Sequence, residues 1–173
     1  MISSIKAAIR AFVAPEHRAF CSRHKWRWII SELNRRGERK NEAGVFLLGV
    51  QTRGRLEVTD TVFYDDLDPN AYSTGVCILN GEAFGRLWAL CRQRQLTVIA
   101  DVHTHPGIAL QSLSDKTNPM VARSGHIAII IPSFASKPFR PDELGIYEYR
   151  GNHQWIDRTH PKARHFYYTG FWS

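Results

Sequence analysis

The sequence has no uninterrupted apolar run of about 18 residues, the length a helix needs to cross a bilayer, so no membrane span is expected. The opening segment, Met1 to Arg10, is broken by Lys6 and Arg10 and lacks the apolar core of a secretory signal, which makes the cytoplasm the expected compartment. Cysteine is scarce. Cys21, Cys77 and Cys91 are an odd number with no Cys-x-x-Cys spacing, which excludes a disulfide framework and reads as free thiols in a reducing compartment. No internal repeat or low-complexity segment occurs, so a solenoid or a disordered linker is not expected. The acidic stretch Asp65-Asp66-Leu67-Asp68 lacks the spacing and the closing glutamate of a calcium loop, and a solvated loop is the simpler reading.

What is there describes one soluble globular domain. The chain has 173 residues, 43% hydrophobic and 23% charged, enough for one core and short for two. Its formal net charge of +7 raises nucleic acid as a partner, but the basic residues are spread, with one dense patch from Arg35 to Lys40. A solvated surface, or a face matched to an acidic protein, accounts for the charge, and nucleic acid is not the expected partner.

Periodicity places the elements. Ile5, Ile9 and Phe12 suggest a short helix ended at Pro15, and Trp26, Ile29, Ile30 and Leu33 an amphipathic helix from Ser22 to Gly37. Ala43 to Gln51 and Arg55 to Phe63 read as a hairpin, followed by a turn-rich loop from Tyr64 to Tyr72. Asn80 caps a helix expected to turn Phe84, Leu87, Trp88 and Cys91 to one face. Leu96 to Val102 and His126 to Pro132 are buried strands, with a short helix over Asp115 to Ala122 between them, capped by Ser112 or Ser114. A second hairpin joins Glu143–Arg150 to Gln154–Asp157 around Gly151-Asn152. The tail from Arg158 holds Phe166, Tyr167, Tyr168, Phe171 and Trp172, which either pack back on the domain or dock a partner. Its His160 and His165 lack a supporting carboxylate or cysteine and are not expected to bind metal.

The chemistry is concentrated in Asp101-Val102-His103-Thr104-His105-Pro106, with Ser112 and Asp115 shortly after. Residues i and i+2 of an extended chain point to the same side, so His103 and His105 can aim at one point while Thr104 faces away. The loop after Pro106 is long enough to bring Asp115 back over the strand end. Two imidazoles and a carboxylate make a three-ligand zinc set with an open fourth position, the catalytic arrangement. Upstream, Glu42 lies at the mouth of another apolar strand, where a carboxylate needs a partner.

Glu42-Ala43-Gly44, four apolar residues and Gly49, then His103-Thr104-His105-Pro106, then Ser112-x-x-Asp115, resembles the JAB/MPN (JAMM) metalloisopeptidase family. The resemblance spans about half the chain, from Asn41 to Ile131. It implies an α/β (α+β) fold: a single JAB/MPN-like, cytidine-deaminase-like domain with a central mixed β-sheet flanked by helices. An N-terminal extension (1–20), a catalytic domain (21–157) and an aromatic tail (158–173) follow from it. It further implies one zinc ion on His103, His105 and Asp115, Glu42 as general acid-base, and Ser112 as oxyanion donor. The segment from Asn70 to Leu79 is the expected recognition region, with Asn70, Tyr72, Thr74, Val76 and Cys77 as candidate substrate-binding residues.

The loop from Pro106 to Gln111 has one residue fewer than the family usually places there. Either the loop is tighter with the same ligands, or Ser114 takes part of the serine's role; the intact Ser-x-x-Asp frame favours the first. The implied reaction is cleavage after the C-terminal glycines of a ubiquitin-like protein, as deconjugation or precursor processing, within a bacterial ubiquitin-like pathway with E1-like and E2-like partners. A hydrolase acting on a sulfur-carrier tail or a small amide is the neighbouring alternative. A non-catalytic scaffold is disfavoured because the ligands are present, and salt-dependent retention on DNA would reveal a nucleic-acid-associated domain.

Overall fold

The structure, a computed structural model, describes residues 19–52, 55–159 and 167–170. In chain order the elements are β1 (Ala19–Ser22), α1 (Arg23–Arg36), β2 (Gly44–Thr52), β3 (Arg55–Phe63), α2 (Tyr64–Leu67), α3 (Gly81–Arg94), β4 (Thr97–Thr104), α4 (Leu113–Thr117), β5 (Ile127–Ile131), β6 (Gly145–Gly151), β7 (Gln154–Asp157) and β8 (Tyr167–Gly170). The eight strands form one mixed sheet in the order β7-β6-β5-β4-β2-β3-β1-β8. Strand β4 runs parallel to β5 and antiparallel to β2, at the centre of the sheet.

Alternation along β2 explains the layers. Val45 and Leu47 leave one face and Phe46 and Leu48 the other, and all four are buried, so each face needs a cover. On the first face lies α1, whose Trp26, Ile29 and Leu33 join the cluster of Val45, Leu47, Ile99 and Ile129. On the second lies α3, whose Ala83, Leu87 and Cys91 join Phe46, Leu48 and Val98. Both helices begin at side-chain caps: Ser22 accepts from the Lys25 N–H, and Asn80 from the Ala83 N–H. Within the dense basic patch, Arg35 meets Glu32, Arg36 meets Asp65 and Asp66, and Lys40 meets Glu38.

Several expectations are corrected. The turn-rich loop begins as a helix, α2, because Tyr64 and Leu67 bury against the second face and Asp66 Oδ2 accepts from the Phe63 N–H. Trp88 is 37% exposed rather than core, since it lies a helical step to the side of Leu87. The short helix expected over Asp115 to Ala122 runs instead from Leu113 to Thr117. Ser112 caps it, and Pro119 disfavours helical geometry at Asn118. The helix expected before Pro15 and the side chains of the aromatic tail lie outside the described residues, as do His160 and His165. The backbone of residues 167–170 pairs in parallel with β1 at the sheet edge.

Candidate metal centre

The end of β4 lies between β2 and β5 and is buried throughout. Val102 points into the α1 layer, so Asp101 and His103 leave the opposite face, and His105 follows just past the strand end. His105 is fixed through its backbone: its N–H donates to the Ile131 carbonyl at 2.9 Å, and its carbonyl accepts from the Phe134 N–H at 2.8 Å. Thr104 ties the strand to its neighbour. Its N–H donates to the Ala43 carbonyl at 3.0 Å, and its hydroxyl accepts from the Ala43 N–H at 3.0 Å. The middle residue of His-Thr-His therefore holds the chain next to Glu42.

Glu42 is oriented from the other side by the loop before α3. Its N–H donates to the Gly75 carbonyl at 2.9 Å, and its Oε2 accepts from the Cys77 N–H at 3.3 Å. Two glycines let this arrangement form. A Cβ on Gly44 would meet the Tyr64 ring at 2.2 Å, and one on Gly49 would meet the Glu57 carbonyl at 1.8 Å. Gly44 is also gripped by the Tyr72 hydroxyl, which accepts from its N–H at 3.2 Å and donates to its carbonyl at 3.0 Å.

The third corner arrives on α4. Ser112 Oγ accepts from the Asp115 N–H at 3.1 Å while Asp115 Oδ2 accepts from the Ser112 N–H at 2.7 Å, a reciprocal capping box. The loop before it is fastened to β6: Tyr147 Oη accepts from the Gln111 N–H at 3.3 Å, and Gly145 has no room for a Cβ against the Ala109 carbonyl. Trp155 Nε1 donates to the Lys116 carbonyl at 3.1 Å.

His103, His105 and Asp115 converge. The two Nε2 atoms are 3.1 Å apart, Asp115 Oδ1 is 3.6 Å from His103 Nε2, and Asp115 Oδ2 is 3.4 Å from His105 Nε2. A tetrahedrally held ion with bonds of about 2.0–2.1 Å places its ligand atoms about 3.3–3.4 Å apart. The separation of the two rings, and the approach of one Asp115 oxygen to each, lie near that value, so the group could hold a metal ion. Two imidazole nitrogens facing each other this closely also require a cation or a proton between them. Glu42 Oε1 lies further out, 3.8 Å from His105 Nε2, and does not belong to the three-residue group.

Behind the triangle, Asp101 is buried and shared: its Oδ2 is 3.5 Å from His103 Nδ1 and its Oδ1 is 2.6 Å from His126 Nε2. A carboxylate on Nδ1 holds the ring so that the Nε2 lone pair faces the metal position. Burial pushes the Asp101 carboxyl up, but the hydrogen bonds from His103 and His126 outweigh it, leaving it below its ordinary value. Burial likewise disfavours charged His103, yet Asp101 beside it raises the imidazole above its ordinary value. Asp115 is pushed up by burial and pulled down further by His105, His103 and Ser112, ending well below the usual carboxylate range.

A cavity of about 30 Å³, room for a water or two, opens on the triangle, with Glu42, Cys77, His103, Gln111, Asp115 and Trp155 among its walls. Of the expected recognition residues, Cys77 lines this cavity and Val76 is exposed beside it. Tyr72 is engaged beneath Gly44 instead, and Asn70 and Thr74 are exposed. Three contributors escaped the sequence reading. Asp101 was legible in the i, i+2, i+4 series with His103 and His105; His126 and Gln111 carried no local signal.

No family model matches the chain. Its sequence is similar to that of a probable metalloprotease, y4jG, from Sinorhizobium fredii, with 27% identity over 128 residues, 73% of this chain and 78% of that one. Its fold is similar to the solution structure of protein DSY2949 from Desulfitobacterium hafniense, with a TM-score of 0.53 over 82% of this chain and 90% of that one, at 16% identity. A Salinibacter ruber protein aligns with a TM-score of 0.47 over 81% and 96% of the two chains, also at 16% identity.

Proposed function

We propose that the chain is a zinc-dependent isopeptidase or peptidase of the JAB/MPN kind, cleaving after the C-terminus of a ubiquitin-like protein to deconjugate it or process its precursor. The observation that carries this reading is the triangle of His103, His105 and Asp115 with the Glu42 carboxylate just beyond it. The likeness to a protein named as a probable metalloprotease supports the peptidase part. Zinc suits two imidazoles and a carboxylate with a fourth position open, and when bound it supplies a Lewis acid that brings the pKa of a water to about 7.

The remaining chemistry belongs to the side chains. Glu42, held by the Cys77 N–H, takes the proton from the attacking water as its oxygen bonds to the scissile carbonyl carbon. As the C–N bond breaks, the same carboxyl returns that proton to the leaving amine. Ser112 uses its hydroxyl oxygen to accept from the Asp115 N–H, so its proton remains free to donate to the oxyanion.

Two features support a protein substrate over a small amide. Val76 and Ile78 on either side of the cavity-lining Cys77, and Ile108, Leu110 and Leu113 in the segment around the cavity-lining Gln111, are large exposed hydrophobics, apolar surface suited to a folded partner. The cavity itself is small, about 30 Å³, which suits residues without side chains, such as a tail of glycines. E1-like and E2-like partners in a reducing cytoplasm complete the proposal; Cys21, Cys77 and Cys91 form no disulfide among the described residues.

The test is a ubiquitin-like protein fused to a C-terminal extension. The zinc-loaded protein is expected to cut once after the tail, to stop under a chelator, and to resume when zinc is restored. His103→Ala/His105→Ala is expected to hold no zinc and to cut nothing. Cleavage indifferent to chelation, or a zinc-loaded protein inert on every such fusion, would overturn the proposal.

A further inference from the structure

Among the described residues, very few buried polar side-chain atoms have no hydrogen-bond partner, and two of them belong to one residue, Gln111 Nε2 and Oε1. Gln111 is 9% exposed and is among the residues that line the cavity, with His103 and Asp115. It is not a loosely held surface glutamine. The Tyr147 hydroxyl accepts from its backbone N–H and donates to the Ala109 carbonyl, and Gly145 packs against that same carbonyl. The backbone leading into Gln111 is thus fastened to β6, while its carboxamide is buried at the cavity wall with neither polar atom paired. A leucine or methionine would fill the same space and leave no polar atom without a partner.

We propose that Gln111 is a substrate-binding residue whose carboxamide pairs with a backbone amide of the bound peptide, on the tail side of the scissile bond. This rests on the peptidase reading above. The chemistry narrows the ligand: the free pair is one donor group and one acceptor, fixed in a common plane. A carboxylate would satisfy only Nε2, and an ammonium only Oε1. A peptide unit offers a carbonyl and an N–H together and answers both. The position follows from the chain, because Gln111 immediately precedes Ser112, the residue aimed at the scissile carbonyl, and shares the cavity wall with Asp115. Water is the competing occupant, since the cavity holds a molecule or two.

The test compares the zinc-loaded wild-type protein with Gln111→Met, which keeps the volume and removes the polar pair. The probe is a tail peptide ending in glycine joined to a lysine ε-amine, alongside its analogue with an ester in place of the neighbouring tail-side amide. In the wild type the ester should raise KM by about three- to tenfold, the range for one hydrogen bond, with kcat changed by less than about twofold. Gln111→Met should raise KM on the all-amide peptide by a similar factor and be insensitive to the ester. Gln111→Glu, which fills the space with acceptors and loses the donor, should also raise KM and serves if methionine weakens the fold.

An unchanged KM in both variants, or ester and Gln111→Met penalties that multiply in full, overturns the pairing and assigns the site to water, while wild-type cleavage leaves the peptidase reading standing. A zinc-loaded wild-type protein that cleaves neither peptide overturns both.

Discussion

The candidate metal centre brings together two unlike regions, the ends of two central strands and a short exposed helix, and in the proposed reaction each supplies both a ligand and a reacting group. The strand region gives His103 and His105, held by backbone bonds to the neighbouring strands, and Glu42, held by Gly75 and Cys77 of the loop before α3. The helix region gives Asp115 and Ser112, held chiefly by each other through the capping box. His103 and His105 are 6% and 8% exposed, whereas Ser112 is exposed. The difference predicts how separable the roles are. In the strand region, the proposed base and ligand share the Thr104 tie in their backbones but not their side-chain supports. The Cys77 N–H holds the Glu42 carboxylate and Asp101 faces the His103 ring, so one side chain can be removed without the other. In the helix region, donor and ligand share two hydrogen bonds, so a change at Ser112 also reaches Asp115.

The sharpest break of the first half is Glu42→Ala. Because Glu42 stands outside the ligand triangle and its neighbours are fixed by backbone bonds, the variant should keep its zinc and its melting temperature while turnover falls by about 10²–10⁴-fold, the usual worth of a positioned base. Metal analysis and a thermal melt run beside the cleavage assay decide it. Zinc lost together with activity would make Glu42 a ligand and erase the separability.

The helix region is tested next, by substitutions that divide the two jobs of one hydroxyl. Ser112→Ala removes donor and cap together and should lower kcat by about 10²–10³-fold. Ser112→Thr keeps both and should stay near wild type, while Ser112→Asp keeps the cap alone and should stay impaired. Recovery by the aspartate variant would reduce Ser112 to a helix cap. Ser114, exposed and not the cap, should tolerate alanine within about 0.5 kcal/mol of stability and with little change in rate. The reverse ranking of the two serines would mean that the shortened loop re-registers.

The contrast between the regions also marks what sequence alone could reveal. Local signals were legible: the two histidines two apart after an apolar strand, the helix starting at Ser22, the cap at Asn80, and a hairpin turn, expected around Gly151-Asn152 and found one residue on at Asn152 and His153, both at positive φ. Features decided by distant contacts were not. The α2 helix depends on Tyr64 lying over Gly44, a contact between separate strands' ends. The bounds of α4 depend on the pairing of Ser112 with Asp115, and the exposure of Trp88 on where α3 meets the sheet. Gln111 reads as an ordinary loop residue until Tyr147 and Gly145, far along the chain, are seen to clamp the loop around it. His126 likewise becomes part of the centre only through the parallel pairing of β4 with β5, which sets Asp101 opposite Ala128.

That pairing leads to the smallest and most selective effect. Asp101 touches no metal position; it accepts from His126 and faces His103 Nδ1, so its work is to hold one ring and one tautomer. Asp101→Asn keeps the shape but replaces a charged acceptor with an amide, and neither ring is then fixed by a carboxylate. Outer partners of this kind are worth about 10–100-fold in metal affinity, so the zinc dissociation constant should rise by that factor. Added zinc should then restore kcat, because Glu42 and Ser112 stand on separate supports. A competition titration against a chromophoric chelator, followed by cleavage at rising zinc, reads both quantities on one sample. If kcat stays low at saturating zinc, Asp101 orients more than a ligand, and the strand region is no more separable than the helix.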